Sequence, residues 1–144
     1  MALISNKLRL VLSIAILGCT SVGADTQAHW QCDKKGSIRY EYMGQKKVEN
    51  SSYCWSGNSV VSYACANHRA TCKVFKPFPI SEALNRPSTH GNSAFHLCLL
   101  ADGTPKFIDY KTPQGWKSTS ICSFDEDGSF ASIFYWKSSS VEVR

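Results

Sequence analysis

Cysteine and histidine stand closest together in Cys65-x2-His68-x3-Cys72, with Cys54 upstream, a spacing that could bring four ligands onto a tetrahedral zinc ion. The same cysteines can instead oxidise in pairs, and the compartment decides between the two outcomes. His29, His68, His90 and His96 offer general acid and base groups for a small exported hydrolase or nuclease, with Lys73 or Lys117 as a stabiliser of oxyanion or phosphate charge. No motif places any two of these histidines together. There is no Gly-x-Ser-x-Gly elbow for a serine hydrolase and no phosphate-binding glycine loop. Asp125-Glu126-Asp127-Gly128 has the flavour of a calcium loop, but its glycine stands at the fourth position and Trp136 falls where the bidentate glutamate belongs. An acidic hairpin turn accounts for it. Tyr53, Trp55, Tyr63 and Trp116 have flat apolar faces with polar tips, suited to stacking on sugar rings or to filling a core. Trp55 precedes the polar turn Ser56-Gly57-Asn58, which makes it the expected contact residue, with Tyr53 and Trp116 as its companions.

The first 24 residues set the compartment. Lys7 and Arg9 supply a basic start, residues 10–17 an apolar stretch too short to span a bilayer, and Val22-Gly23-Ala24 a small-residue cleavage site. Ile16-Leu17-Gly18-Cys19 also resembles the lipobox of bacterial lipoproteins, in which Cys19 would carry a lipid and tether the chain to a membrane. Leu17 stands where that motif has a small residue, so cleavage after Ala24 is the favoured expectation. Of seven cysteines, Cys19 leaves the folding problem by either route. Cys32, Cys54, Cys65, Cys72, Cys98 and Cys122 then form an even set in an exported chain, which predicts three disulfides and a periplasmic or secreted location. Zinc is accordingly not expected, and no other cofactor is implied.

A chain of 144 residues is one domain, with or without a short annex. Charged residues are 19% and hydrophobic ones 43%, which excludes a disordered polar chain. The net charge of +5 falls once Lys7 and Arg9 leave. Only Lys34-Lys35 and Lys46-Lys47 cluster, at strand ends, so no specific nucleic-acid surface is expected.

The elements that must position these residues divide into two halves. In the first, residues 25–80, Ile38, Tyr40 and Tyr42 alternate with Arg39, Glu41 and Met43, and Gly44-Gln45 turns the chain towards Val48. Residues 59–65 and 71–76 read as two further strands whose cysteines would lie close across a hairpin. A loop-rich stretch follows, with a short helical turn expected over 81–85. In the second half Asn92 is placed to cap a helix over 93–101, with Ala94, Phe95, Cys98 and Leu99 on one face and Asp102-Gly103 as its stop. Strands are predicted over 106–110, 116–124 and 130–136, the last buried on both faces, before a fraying tail at Ser138, Ser139 and Ser140. The fold class is therefore α+β and mostly β: disulfide-stapled antiparallel strands with one short helix packed on a C-terminal meander.

The segment Asn92-Ser93-Ala94, Cys98, Asp102-Gly103, Cys122-Ser123-Phe124, Asp127-Gly128-Ser129 and Tyr135-Trp136 resembles a family of bacterial exported domains of unknown function labelled hemolysin-like. The likeness covers residues 92–137, about a third of the chain. Ser93 replaces the family's proline, one residue is inserted before Asp127, and two later cysteines are missing. Their joint loss implies that they bridged each other, which leaves Cys98 to pair with Cys122. Among Cys32, Cys54, Cys65 and Cys72 the sequence-local solution is Cys32 with Cys54 and Cys65 with Cys72, with the other connectivities still open. The resemblance brings no catalytic residue.

Bridged loops on a rigid β scaffold lose little entropy on association. The leading expectation is therefore a non-enzymatic envelope or secreted module that binds a macromolecule, protein or envelope glycan, as an inhibitor or immunity-type partner of a toxin or wall hydrolase. A small histidine-dependent hydrolase and a membrane-active protein are the alternatives.

Overall fold

A computed structural model describes residues 29–81 and 93–144. The leader, Cys19, the turn expected at 82–85, His90 and the cap at Asn92 lie outside these residues. The elements in order are β1 (Gln31–Tyr42), β2 (Gln45–Ser56), β3 (Ser59–Ser62), α1 (Tyr63–Asn67), β4 (Phe78–Ile80), α2 (Ser93–Leu100), β5 (Thr104–Thr112), β6 (Gly115–Phe124), β7 (Ser129–Ser132), α3 (Ile133–Ser140) and β8 (Val141–Val143). Two antiparallel meanders, β1-β2-β3 and β5-β6-β7, close into one barrel in the order β1-β2-β3-β7-β6-β5. The two halves of the sequence thus share a sheet, mainly antiparallel and mostly β as expected.

Closure at β1 and β5 uses a regular ladder, with Ile38 opposite Tyr110 and Tyr40 opposite Ile108. Closure at β3 and β7 has one register pair, Val61 with Ala131. Two buried serines complete that seam. Ser132 Oγ accepts from Val60 N–H at 2.5 Å and donates to Val60 C=O at 3.1 Å, and Ser62 Oγ accepts from Phe130 N–H at 3.3 Å. A hydroxyl can both donate and accept, so each substitutes for missing ladder groups that would otherwise be buried unpaired.

Period-two alternation divides two cores. Inward residues Ile38, Tyr53, Trp55, Val60, Ile108, Tyr110, Ile121 and Phe130 fill the barrel, as a narrow six-stranded interior requires. Their outward neighbours Cys54, Val61, Cys122, Phe124 and Ala131 pack under the helices with Leu97, Ile133 and Trp136. Gly36 lies at the β1 irregularity because a Cβ there would overlap the Tyr53 ring.

Several predicted elements change character. The strand predicted over 59–65 stops at Ser62 and becomes α1, and 71–76 is not a strand but two single turns of 3-10 helix, Arg69–Thr71 and Lys73–Phe75. The closing strand expected over 130–136 ends at Ser132, and the chain continues as α3. Helical spacing then buries Ile133, Trp136 and Ser140 on one face. Ser140 is therefore no fraying tail: its hydroxyl donates to Val74 C=O at 2.9 Å. Phe78–Ile80, expected as loop, pairs in parallel with Val141–Val143. Helix α2 matches the expected span, but its buried stripe is Ala94, Leu97 and Cys98, with Leu99 outside. Its stop is a Schellman turn in which Asp102 takes the left-handed conformation (φ 60°) and Gly103 N–H donates to Cys98 C=O at 2.9 Å. Gly103 is needed for another reason, since a Cβ there would strike the sulfurs of Cys98 and Cys122.

The three disulfides are Cys32–Cys54, Cys65–Cys72 and Cys98–Cys122, the sequence-local and family-implied pairing. They mark a protein of an oxidising compartment. Among the described residues no helix is long and apolar enough to cross a membrane.

Candidate functional site

The barrel has one plugged end and one open end. At the plugged end Tyr53 rests against Trp55 and Tyr110, with ring centroids 6.0 and 5.9 Å apart. Tyr53 Oη donates to the carbonyl of Lys111 at 2.7 Å and accepts from its N–H at 3.1 Å, tying β2 to β5. Burial raises the Tyr53 hydroxyl pKa, against these backbone bonds, which lower it. Tyr110 Oη, also raised by burial, finds no hydrogen-bond partner among the described residues. Tyr110→Phe is therefore expected to leave stability unchanged or raise it by up to about 1 kcal/mol, read from the urea midpoint. A clear loss would show that the hydroxyl is bonded in solution.

This arrangement changes the expected aromatic platform. Trp55 is only 7% exposed and Tyr53 is fully buried, so neither offers a face to a partner. The polar turn after Trp55 does not expose it, because β2 alternation directs the indole into the barrel opposite Val60. Tyr63 is half-buried beneath the Lys34 ammonium. Trp116 is 38% exposed on the outer sheet face, with the Arg39 guanidinium 4.4 Å above its ring.

Arg39 continues into a polar row. Its Nε donates to Asp109 Oδ2 at 2.6 Å, and Ser118 Oγ donates to Asp109 Oδ1 at 2.5 Å. The Ser118 hydroxyl and then Arg39 hold the Asp109 carboxyl below its usual range, against partial desolvation. A depressed carboxylate pKa stabilises the fold above the unfolded value, near pH 4, and that stability is lost as pH falls through the folded value. Asp109→Asn should cost up to about 1 kcal/mol at pH 7 and nothing at a pH below both values, measured by urea unfolding across that range.

Beyond the last β1–β5 pair, Tyr40 with Ile108, strands β1 and β2 continue together to Tyr42 and Gln45. This projecting hairpin is exposed throughout residues 41–50. Its two-residue turn places Met43 and Gly44 at φ 51° and 75°, the left-handed pair of a type I′ turn. Asn or Asp is the usual first residue there, and methionine costs about 1 kcal/mol in that conformation. Met43 is nevertheless at the tip, 86% exposed, flanked by exposed Tyr42 and Val48. Lys47 Nζ lies 4.5 Å from the Tyr42 ring centroid. The hairpin is the one expected from the alternation of residues 38–43, and its reach past β5 has its sequence signal in that alternation running on into Met43-Gly44.

The remaining chemical candidates separate. Cys65 and Cys72 are bonded to each other and Cys54 to Cys32, so the zinc spacing is a disulfide spacing. Among the described residues no group of three or more metal-ligating side chains converges. His29, His68 and His96 are exposed, while His90 is outside the described residues. The acidic turn is structural. Asp127 Oδ2 accepts from Lys73 N–H at 2.7 Å, its Oδ1 accepts from Ser129 N–H at 2.9 Å, and Lys73 Nζ pairs with Glu126. Desolvation raises the Asp127 pKa, but these backbone donors outweigh it and lower the net value. No family model, curated protein or solved structure matches the chain.

Proposed function

We propose that the chain is a non-enzymatic, exported binding module whose β1–β2 hairpin enters a cleft of a partner protein, in the manner of an inhibitor or immunity-type partner of a toxin or wall hydrolase. The observation that carries this reading is the hairpin tip. It spends backbone strain to present a flexible, polarisable methionine to solvent, between a tyrosine and a valine that the core does not use. The barrel ladder and Cys32–Cys54 hold the same two strands at their other end, so the tip is presented with little loss of entropy. The contact residues are then Tyr42, Met43 and Val48, in place of Trp55.

Affinity capture from the native envelope, followed by binding measurements with the captured protein, tests this directly. Met43→Asp should weaken binding at least about tenfold while leaving the unfolding midpoint unchanged or raising it, because the side chain is 86% exposed and aspartate suits the left-handed position better than methionine. Unchanged affinity would remove the hairpin from the interface.

A second reading, an envelope glycan on the outer sheet face, is supported by Trp116 and the exposed Phe107 on either side of the Arg39, Asp109 and Ser118 row. Sedimentation with purified peptidoglycan, lost in Trp116→Ala, would favour it over the hairpin.

A further inference from the structure

We infer that the open end of the barrel is a binding cup for a small amphiphile with an apolar body and a cationic head. Two ends of one barrel differ here for a physical reason. Tyr53, Trp55 and Tyr110 stop the first end, whereas the second has only the three short, buried side chains of Ile38, Ile108 and Ile121 and the ring of Phe130 beneath it. The hairpin continues past β5 and overhangs this floor, enclosing a cleft of roughly 960 Å³, a volume at the upper end of small-molecule sites.

Charge selects the head group. Glu41, Glu49 and Asp125 line the mouth against a single ammonium, Lys106. The chain as a whole is basic, at +5, so the mouth departs in sign from the molecule around it. Among the described residues none of these three carboxylates has an ion-pair partner. Glu49 accepts a bond from Tyr40 Oη at 3.3 Å, and its negative charge raises the Tyr40 pKa. Lys47, beside the mouth and not part of its lining, lies over the ring of the lining residue Tyr42, so this ring face accepts an ammonium. Tyrosine faces beside carboxylates are the environment that an alkylammonium prefers over water. An alkyl chain or flat ring would cover the isoleucines, and the ammonium would lie at the rim near Glu49.

Titration of the disulfide-intact mature chain with dodecyltrimethylammonium, dodecyl sulfate and decyl glucoside, each below its micellar concentration, tests the cup. The ammonium should bind saturably at one per chain and at least about tenfold more tightly than the sulfate. Glu49 is exposed, so Glu49→Gln should fold and weaken the ammonium several-fold while leaving the glucoside unchanged. Thr104 is an exposed residue of the mouth, and Thr104→Trp should fill it and remove binding of all three. Near-UV circular dichroism and intact mass establish that each variant is folded and bridged. Equal affinity for ammonium and sulfate, non-saturating binding, or undiminished binding by folded Thr104→Trp would each overturn the inference. Val48 is exposed on the hairpin and is not part of the cleft lining, so Val48→Asp reports on the protein partner separately and the hairpin and the cup can fail independently.

Discussion

Trp136→Ala is expected to cost about 4 kcal/mol, whereas Phe134→Ala, two residues earlier, should change stability by less than about 0.5 kcal/mol. The contrast follows from the conformation of residues 133–140. Trp136 is 1% exposed and packs in the outer core with Leu97, Cys98, Cys122 and Ile133, while Phe134 is 67% exposed on the far side of the helix. A strand would have placed both rings on one face, and both substitutions would then cost alike. Removing the indole leaves a void where α3 meets the barrel, and α3 cannot collapse into it freely. Tyr135 holds the helix on its flank, edge-on to Trp30 and Phe75 at 5.4 and 5.9 Å, and the Arg69 guanidinium lies over Phe75 at 4.4 Å. Urea unfolding of the two variants decides the matter, and equal losses would return this segment to a strand.

The same segment shows which parts of the fold were legible. Ile133, Phe134, Tyr135 and Trp136 are residues of high β propensity, and their run suggested a buried strand. What overrode it was tertiary packing: the buried positions 133, 136 and 140 follow a helical period, but the third is a serine and so does not register as apolar. Its burial is explained only by the Val74 carbonyl that it meets, a group far away in sequence. The β1 alternation was readable because one face of that strand carries Ile38, Tyr40 and Tyr42, the first buried in the barrel and the second packed against its core. The 3-10 turns were not, since Lys73 and Val74 are held by Asp127 and Ser129 through bonds that no local pattern announces. At the candidate site the difficulty was different. A tryptophan beside a polar turn and a methionine at a turn differ in exposure only through the register with β3, so residue type favoured Trp55 while position favoured Met43.

Replacing Cys98 and Cys122 together by alanine should remove about 3.5 kcal/mol, against about 2.5 kcal/mol for the Cys65 and Cys72 pair, on the loop-entropy account. The separations are 24 and 7 residues, so the first bridge withholds more freedom from the unfolded chain. It also joins different layers, α2 to the barrel strand β6, whereas the second closes a turn already organised by α1. Both Cys98 and Cys122 are fully buried, so their loss opens a space beneath Gly103 in addition. Cys32–Cys54 has a similar separation, 22 residues, but joins two positions that the β1–β2 ladder already pairs. Its Cys32 is exposed, and a thiolate reductant needs access to one sulfur. Mild reduction followed by alkylation and peptide mass mapping should therefore label Cys32 and Cys54 first, with the hairpin still folded. Cys98 and Cys122 should be labelled only at denaturant concentrations that unfold the barrel. Labelling of the buried pair before the exposed one would mean that α2 detaches from β6 while the barrel stays closed, and the stability assigned to that bridge would then belong to a local opening.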